Sequence, residues 1–209
     1  MAGFTIPRFY PILDTEVSDR FEVEPAAAAA SILEAGAKIL QFRHKGFFSR
    51  GTVETIERIA ALCRDAGALF VVNDRADIAR IVGGAVHLGQ EDLTPTFARR
   101  VTGSDAIIGY STHNEGQLRA AAAEPADYLA LGPIFETASK RNPDPVVGLE
   151  RLRLWRPLTS RPLVAIGGIT RANASRVLEA GANSVAVIGD LFPDVRARAK
   201  EWIEATAGF

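Results

Sequence analysis

The chain has 209 residues, 47% hydrophobic and 23% charged, a balance that is typical of a folded globular protein and excludes disordered and fibrous classes. Its 24 basic and 25 acidic residues leave a net charge of -1, so no overall positive field draws it to nucleic acid or to an anionic membrane. We therefore expect neither a nucleic-acid nor a membrane partner, and any anion site has to be built locally.

The number of cysteines and the pattern of the first residues indicate in which cellular compartment the protein is expected. Cys63 is the single cysteine, so the chain can form neither an intrachain disulfide nor a cysteine-based zinc cluster. Residues 1–10 lack a charged segment followed by an apolar core, and no apolar run approaches the ~18 residues of a membrane span. We expect a cytoplasmic protein.

Short apolar runs alternate with helical patterns along the whole chain. Eight runs predict strands, at residues 9–13, 39–42, 69–72, 85–88, 107–110, 128–131, 163–166 and 184–188. Helical patterns cover residues 24–35, 52–66, 114–123, 147–155, 170–180 and 194–205, with weaker candidates after Asn73 and after Thr94.

Three helix-to-strand junctions share one motif, an acidic residue followed by Ala-Gly-Ala, in which Gly36, Gly67 and Gly181 can end a helix in the left-handed conformation. Repeated strand-helix units with largely apolar strands indicate a parallel sheet covered by helices. Eight units of roughly 25 residues fill the chain, which predicts an α/β fold, a single (β/α)8 TIM barrel, with residues 1–209 as one catalytic domain.

The second predicted strand has one polar, cationic face. Its alternation places Gln41, Arg43 and Lys45 on one side, with Leu40, Phe42 and His44 on the other. Charges pointing into the mouth of a barrel need an anionic partner, because burying an unpaired charge is costly. We interpret this face as a phosphate-binding site; the alternative is an exposed strand end with solvated charges.

Acidic side chains follow the third and fourth predicted strands. Asn73 and Asp74 end one, and Glu91 and Asp92 follow the other. Each could be a helix N-cap, but in a barrel Asp74 and Asp92 share one rim, and paired carboxylates are a common way to hold Mg²⁺ against substrate phosphates. Glu91 could replace one ligand; alternatively it is a solvated acid in the first turn of a helix.

The sequence has three histidines that could be catalytic or metal-binding groups: His44, His87 and His113. His44 and His87 lie opposite the cationic face or within an apolar run, so we interpret both as structural histidines with satisfied hydrogen bonds. His113 lies nearer the predicted rim, where capping of the next helix by Ser111 or Thr112 is the alternative explanation for this segment.

Two loops complete the predicted rim. Residues 132–148 combine hydroxyl groups, Lys140 and several prolines, which suits a lid that closes on an anion, although a plain surface loop has the same composition. Gly167, Gly168 and Gly189 follow the seventh and eighth strands, where barrels often bind phosphate through backbone N–H groups.

Several of these motifs together resemble the thiamine-phosphate synthase family. They read QFRHK at 41–45, VND at 72–74, HLGQED at 87–92, GPIF at 132–135, TASK at 137–140 and IGGI at 166–169. The resemblance spans nearly the whole chain, in order. It implies a transferase of thiamine biosynthesis that couples 4-amino-5-hydroxymethyl-2-methylpyrimidine diphosphate with 4-methyl-5-(2-phosphoethyl)thiazole to give thiamine phosphate and pyrophosphate, through a pyrimidine carbocation and with Mg²⁺.

The resemblance also implies residue roles. Five residues would hold the pyrimidine diphosphate: Gln41, Arg43, Lys45, Asn73 and Lys140. Asp74 and Asp92 would bind Mg²⁺, and Ser111 would lie beside the pyrimidine. The thiazole phosphate would contact Thr137, Ser139, Gly167, Ile188 and Gly189. The implied catalytic set is Arg43, Lys45, Lys140 and Ser111, whose charges and hydroxyl would act on the departing pyrophosphate and on the ring.

The chain departs from the family pattern at three places. Gly189 stands where the family usually has Ser, and Asp190 where it has a small residue, so a hydroxyl is lost and a carboxylate added near the thiazole phosphate. Ser139 replaces a usual Thr, and residues 11–14 also deviate.

Two other functions compete with the synthase. A thiazole tautomerase of the same superfamily would use His113 and needs neither a diphosphate site nor a metal. A non-catalytic barrel would only bind a phosphorylated ligand. The joint presence of Arg43, Lys45, Asp74 and Asp92 favours the synthase. The expected partners are small-molecule substrates; a homo-oligomer stays open.

Overall fold

The computed structural model describes residues 5–137 and 144–209. Eight parallel strands form a closed barrel in chain order, with β8 paired to β1. The strands are β1 Phe9–Asp14, β2 Ile39–Arg43, β3 Leu69–Asn73, β4 Ala85–Leu88, β5 Ile108–Thr112, β6 Tyr128–Leu131, β7 Leu163–Ile166 and β8 Ser184–Val187. The (β/α)8 prediction is confirmed.

Nine α-helices occur in the described ranges and surround the barrel. They are α1 Thr15–Arg20, α2 Pro25–Glu34, α3 Arg50–Asp65, α4 Ala76–Val82, α5 Pro95–Thr102, α6 Glu115–Ala121, α7 Gly148–Trp155, α8 Ala174–Glu179 and α9 Val195–Thr206. The sequence pattern missed α1, which is six residues long and begins where the Asp14 side chain accepts the N–H of Val17 at 3.1 Å. Helix α8 is shorter than expected because the Thr170 N–H donates to Asn173 Oδ1 in a turn before it.

The predicted glycine junctions take the left-handed conformation. Gly36, Gly67 and Gly181 have φ values of 109°, 60° and 105°, which residues with a Cβ rarely adopt. Each turns the chain from a helix into the following strand, as the repeated motif indicated.

The core has two layers that the alternation of each strand separates. The outer layer packs between strands and helices and includes Leu40 and Phe42 of β2. The inner layer fills the barrel and contains Tyr10, Ile12, Ile39, Val71, Ala85, Tyr128, Ala130, Val164 and Ala186. Gln41 lies between the two outer residues and points inward, where its Nε2 donates to Tyr10 Oη at 2.9 Å.

In the part of the chain that the structure describes, no helix is both long enough and apolar enough to cross a bilayer.

Candidate active site

The end of β2 presents two cations that are both paired with acids. Arg43 Nη1 donates to Asp14 Oδ2 of the neighbouring strand β1, whose Cα is its register partner. Lys45 Nζ donates to Asp74 Oδ2 at 2.5 Å. The anionic partners that the sequence required are therefore, in this structure, side chains of the protein itself.

Asp14 is a site residue that the sequence analysis did not assign. It is 3% exposed, accepts the N–H of Val17 through Oδ1 and accepts Arg43 through Oδ2. It ends the apolar strand β1, much as Asp74 directly follows β3, and that signal could have identified it.

Asp74 follows β3 directly and Asp92 lies four residues after the end of β4, and the two carboxyl groups are close enough for Asp92 to affect the ionisation of Asp74. Burial raises the pKa of Asp74, and the neighbouring Asp92 raises it further, whereas Lys45 opposes the shift. Asp74 also has a φ of 65°, a conformation unusual for a residue with a side chain. The two acids therefore repel each other in a partly buried place.

Neither acid is a helix N-cap, which was the alternative explanation. Helix α4 has Arg75 at its N-cap with no side-chain hydrogen bond, and α5 is capped by Thr94. Asp92 Oδ2 instead accepts the N–H of Gly89 at 2.7 Å. The Glu91 side chain, the alternative metal ligand, belongs to an exposed residue.

The donor set suits a hard divalent cation that is shared with a substrate. Within residues 5–137 and 144–209, no three His, Cys, Asp or Glu side chains cluster as a complete metal site. Two carboxylates with close oxygens fit Mg²⁺, which usually keeps several positions for water and phosphate oxygens. A cation between Asp74 and Asp92 would also relieve their mutual repulsion.

A buried donor without a partner lies beside this acid pair. Asn73 is 7% exposed, and its Nδ2 makes no hydrogen bond with any described residue. A buried N–H group left without an acceptor costs about 1–3 kcal/mol, so an acceptor supplied by a bound ligand would be favourable here.

Ser111 lies at the end of β5 and is bonded to His87. Its Oγ is 2.8 Å from His87 Nε2, and its carbonyl accepts Gln90 Nε2 at 2.6 Å. The interpretation of His87 as a satisfied histidine within an apolar run is consistent with these bonds and with its place in the fully buried strand β4. His87 lies inside the barrel, where Nδ1 is 3.0 Å from Tyr128 Oη.

The other two histidines are also hydrogen-bonded. His44 Nδ1 lies 2.9 Å from Thr15 Oγ1, and Nε2 lies 3.2 Å from the carbonyl oxygen of Phe47. His113 Nδ1 donates to the carbonyl of Gly132 at 2.7 Å and lies 3.6 Å from Asp144 Oδ2. The following helix is capped by Asn114 rather than by Ser111 or Thr112.

The glycines after β7 and β8 form a second region of the rim. A Cβ at Gly167 would lie 2.5 Å from Pro133 Cβ, and one at Gly168 would lie 2.3 Å from the carbonyl oxygen of Glu136. These glycines therefore allow the segment after β6 to pack closely. Across the described ranges, the N–H groups of Gly167, Gly168 and Gly189 donate to no protein acceptor, which leaves them for an anion.

The Asp190 side chain has partners within the protein. Its Oδ2 accepts Trp202 Nε1 at 3.0 Å and lies 3.5 Å from Arg171 Nη1, which in turn contacts Glu201 at 2.8 Å. The carboxylate that departs from the family pattern is thus hydrogen-bonded to Trp202 of helix α9 and lies near the Arg171 guanidinium, which it shares with Glu201.

The middle of the predicted loop, residues 138–143, lies outside the described residues. The predicted site residues Ser139 and Lys140 are among them. Thr137, which precedes them, is partly buried. On either side the loop is anchored, because Val147 N donates to the carbonyl of Pro133 at 2.8 Å.

Comparison with known proteins decides the family. The sequence profile described as thiamine monophosphate synthase matches residues 9–191. The chain belongs to this family. It is 47% identical over 209 aligned positions to the thiamine-phosphate synthase of Koribacter versatilis (strain Ellin345), with 97% of each chain covered.

Other members of the thiamine monophosphate synthase family agree. The thiamine-phosphate synthase of Chlorobium phaeovibrioides is 45% identical over 182 positions, covering 86% of this chain and 87% of that one. The solved structure of a thiamine phosphate pyrophosphorylase from Pyrococcus furiosus superposes with a TM-score of 0.84 at 33% identity, covering 96% of both chains. The resemblance drawn from the motifs is confirmed.

Proposed function

We propose that this chain is a thiamine-phosphate synthase, a transferase that joins the pyrimidine diphosphate to the thiazole phosphate and releases pyrophosphate. Membership of the family supports the reaction. The observation that carries the proposal is the acid pair Asp74 and Asp92, which adjoins the Lys45 cation and the unpartnered Asn73 amide at one rim of the barrel.

The diphosphate is assigned to this rim. Arg43 and Lys45 would exchange their present carboxylate partners, Asp14 and Asp74, for phosphate oxygens, and the Asn73 Nδ2 group would gain the acceptor that it lacks. Charge-assisted bonds of this kind are stronger than neutral ones. Lys140, beyond the described residues, is assigned to the same group through the family resemblance.

Asp74 and Asp92 are the residues that would hold Mg²⁺. When bound, this ion would neutralise charge on the diphosphate and so make pyrophosphate a better leaving group. The proposal extends the general metal dependence expected of the family to Mg²⁺, because both ligands are hard carboxylate oxygens.

Catalysis is then mainly stabilisation of a leaving group. The bond between the pyrimidine methylene carbon and the diphosphate oxygen breaks, and its electron pair leaves with pyrophosphate. The thiazole nitrogen lone pair forms the new carbon–nitrogen bond. Because this step needs no strong base, the cations Arg43 and Lys45 contribute more than a histidine would. Gln41 and Ser111 are assigned to the pyrimidine ring.

The thiazole phosphate is assigned to the second region of the rim. The N–H groups of Gly167, Gly168 and Gly189 would bind its oxygens, with Ile188 against the ring. Thr137 and Ser139 are assigned here by the resemblance. The Asp190 carboxylate does not oppose this binding, because Arg171 and Trp202 already engage it.

We further propose that residues 1–209 act as one catalytic domain in the cytoplasm, where Cys63 would stay a thiol. Cys63 is fully buried, and burial raises the pKa of its thiol to about 12. It therefore takes no part in the chemistry.

The decisive experiment incubates the purified protein with both substrates, with Mg²⁺ and after removal of divalent ions by chelation, and measures thiamine phosphate. Product that requires the metal supports the proposal. Product formed equally well without divalent ions contradicts the roles of Asp74 and Asp92. Absence of product with Mg²⁺, together with aromatisation of a thiazole precursor, would establish the tautomerase function instead.

A further inference from the structure

Five polar side chains form a continuous chain of hydrogen bonds across the inside of the barrel. Gln41 Nε2 donates to Tyr10 Oη at 2.9 Å, and Tyr10 Oη lies 2.7 Å from Tyr128 Oη. Tyr128 Oη lies 3.0 Å from His87 Nδ1, and His87 Nε2 lies 2.8 Å from Ser111 Oγ. The hydrogen-bond chain connects β2 with β5, and its two end residues, Gln41 and Ser111, are the ones that the proposed function assigns to the pyrimidine.

The donors and acceptors along this chain can be ordered from one end. Gln41 Nε2 donates to Tyr10 Oη, and we assign the single Tyr10 proton to Tyr128 Oη, the other hydrogen-bond partner of Tyr10 among the described residues. Tyr128 then donates its proton to His87 Nδ1. A neutral imidazole whose Nδ1 accepts carries its proton on Nε2 and donates to Ser111 Oγ.

Burial keeps every member of the chain uncharged. Tyr10, Tyr128 and His87 are each at least about nine-tenths buried. Burial lowers the pKa of His87 to about 4 and raises the pKa values of Tyr10 and Tyr128 above their usual range. At neutral pH the chain is therefore a set of neutral dipoles.

The His87 and Tyr128 rings, which lie in the middle of the hydrogen-bond chain, pack against each other. The His87 and Tyr128 rings are stacked with an interplanar angle of 24° and centroids 5.5 Å apart. Gly109 makes this stack possible, because a Cβ there would lie 2.1 Å from Tyr128 Cζ and 2.5 Å from His87 Nδ1. A side chain at residue 109 would therefore displace both rings.

We propose that His87 is a positioning residue that, through this one-directional chain, makes the Ser111 hydroxyl a hydrogen-bond donor toward the substrate. Once its oxygen accepts His87 Nε2–H, the Ser111 proton points to the mouth of the barrel. Gln41 donates to Tyr10, so its Oε1 serves as an acceptor. A donor at Ser111 and an acceptor at Gln41 match a ring nitrogen and an exocyclic amino group, the two groups of an aminopyrimidine. This matching rests on the proposed function.

The order of the chain is tested without any substrate by ¹⁵N NMR of the full-length protein with labelled histidine. The protein has three histidines, so the His87 signals can be assigned by comparison with a His87→Gln variant. We expect neutral His87 with its proton on Nε2 at pH 7. A proton on Nδ1, the tautomer that a reversed chain requires, or a charged imidazolium would overturn the proposal.

The effect on the substrate is tested by Tyr128→Phe, which keeps the ring and removes the hydroxyl. We expect the KM for the pyrimidine diphosphate to rise roughly three- to tenfold, the effect of one neutral hydrogen bond, with kcat changed less. In a Ser111→Ala background the same change should have little further effect, because the two residues act through one contact. Independent, multiplying effects would contradict the positioning role.

The protein has three tyrosines, and Tyr110, which lies outside the hydrogen-bond chain, is the matched control. It belongs to the outer core layer rather than to the hydrogen-bond chain, so Tyr110→Phe should leave the His87 signals in place. If the wild-type protein made no thiamine phosphate while His87 showed the Nε2 proton, the proposed function would fail and the order of the chain would stand.

Discussion

Lys45 and Asp74, which follow neighbouring strands, are joined by a contact of 2.5 Å between Nζ and Oδ2. A residue assigned to the diphosphate and a residue assigned to the metal therefore contact each other directly. This pairing restrains the lysine. Burial and the neighbouring Asp92 nevertheless raise the pKa of Asp74, so a further cation beside the two acids would be favourable.

Replacement of either acid should remove metal-dependent coupling. We expect Asp74→Asn and Asp92→Asn each to lower kcat/KM by about 100-fold or more. Loss of one preorganised group that stabilises the transition state has an effect of this size in other enzymes. The measurement is thiamine phosphate formation over a range of Mg²⁺ concentrations. Asp77→Asn is the matched control, since this exposed acid pairs with Arg75 away from the acid pair; equal losses in all three variants would contradict the assignment.

Asp14 should contribute to stability through two separate bonds. Asp14→Ala removes the cap of α1 and the partner of Arg43, so we expect the free energy of unfolding to fall by about 2 kcal/mol in urea titrations. Asp14→Asn keeps a capping oxygen and should lose less. The exposed Glu16, changed to Ala, serves as the control. A wild-type midpoint for Asp14→Ala would show that neither bond matters.

The bond between Asp190 and Trp202 should stabilise the loop after β8. Asp190→Ala leaves the N–H of a fully buried Trp202 without an acceptor, which should cost about 1–3 kcal/mol. Asp190→Asn retains an acceptor oxygen and should cost less, although it loses the charge facing Arg171. Urea unfolding followed by tryptophan fluorescence compares the two; an equal loss would indicate that the charge, not the acceptor, is what stabilises.

Gly109 should tolerate no side chain. In Gly109→Ala the new methyl group would overlap Tyr128 and His87, so we expect destabilisation of about 3 kcal/mol in thermal or urea unfolding. Gly116→Ala, on helix α6, is the control because its Cβ meets only Asn114 Oδ1 at 3.4 Å. That variant should be neutral or slightly more stable. Similar stability of both variants would mean that the barrel interior can rearrange.

The sequence predicted the strand order and much of the rim because each strand is a short apolar run that ends in polar residues. Gln41 could be placed inside because it stands between two large apolar neighbours in β2. Tyr10 and His87 could not, since all residues of β1 and β4 are buried and such strands do not show which face points inward.

Other features depended on contacts between distant segments. Asp14 had the same local signal as Asp74, but its bond to Arg43 follows from the pairing of β1 with β2. The Asp190 carboxylate was expected near the phosphate, yet Trp202, twelve residues later, engages it. Helix α1 has only six residues, too few for a hydrophobic period to be recognised.

The pairing of rim cations with the protein's own acids has a consequence for how a substrate finds the site. Arg43 and Lys45 carry two positive charges, whereas Asp14, Asp74 and Asp92 can carry three negative ones. These five side chains therefore project little attraction toward a distant polyanion. Phosphorylated molecules would reach the barrel by ordinary diffusion. They would be selected only on contact, when their phosphate oxygens replace the carboxylates that now pair with Arg43 and Lys45.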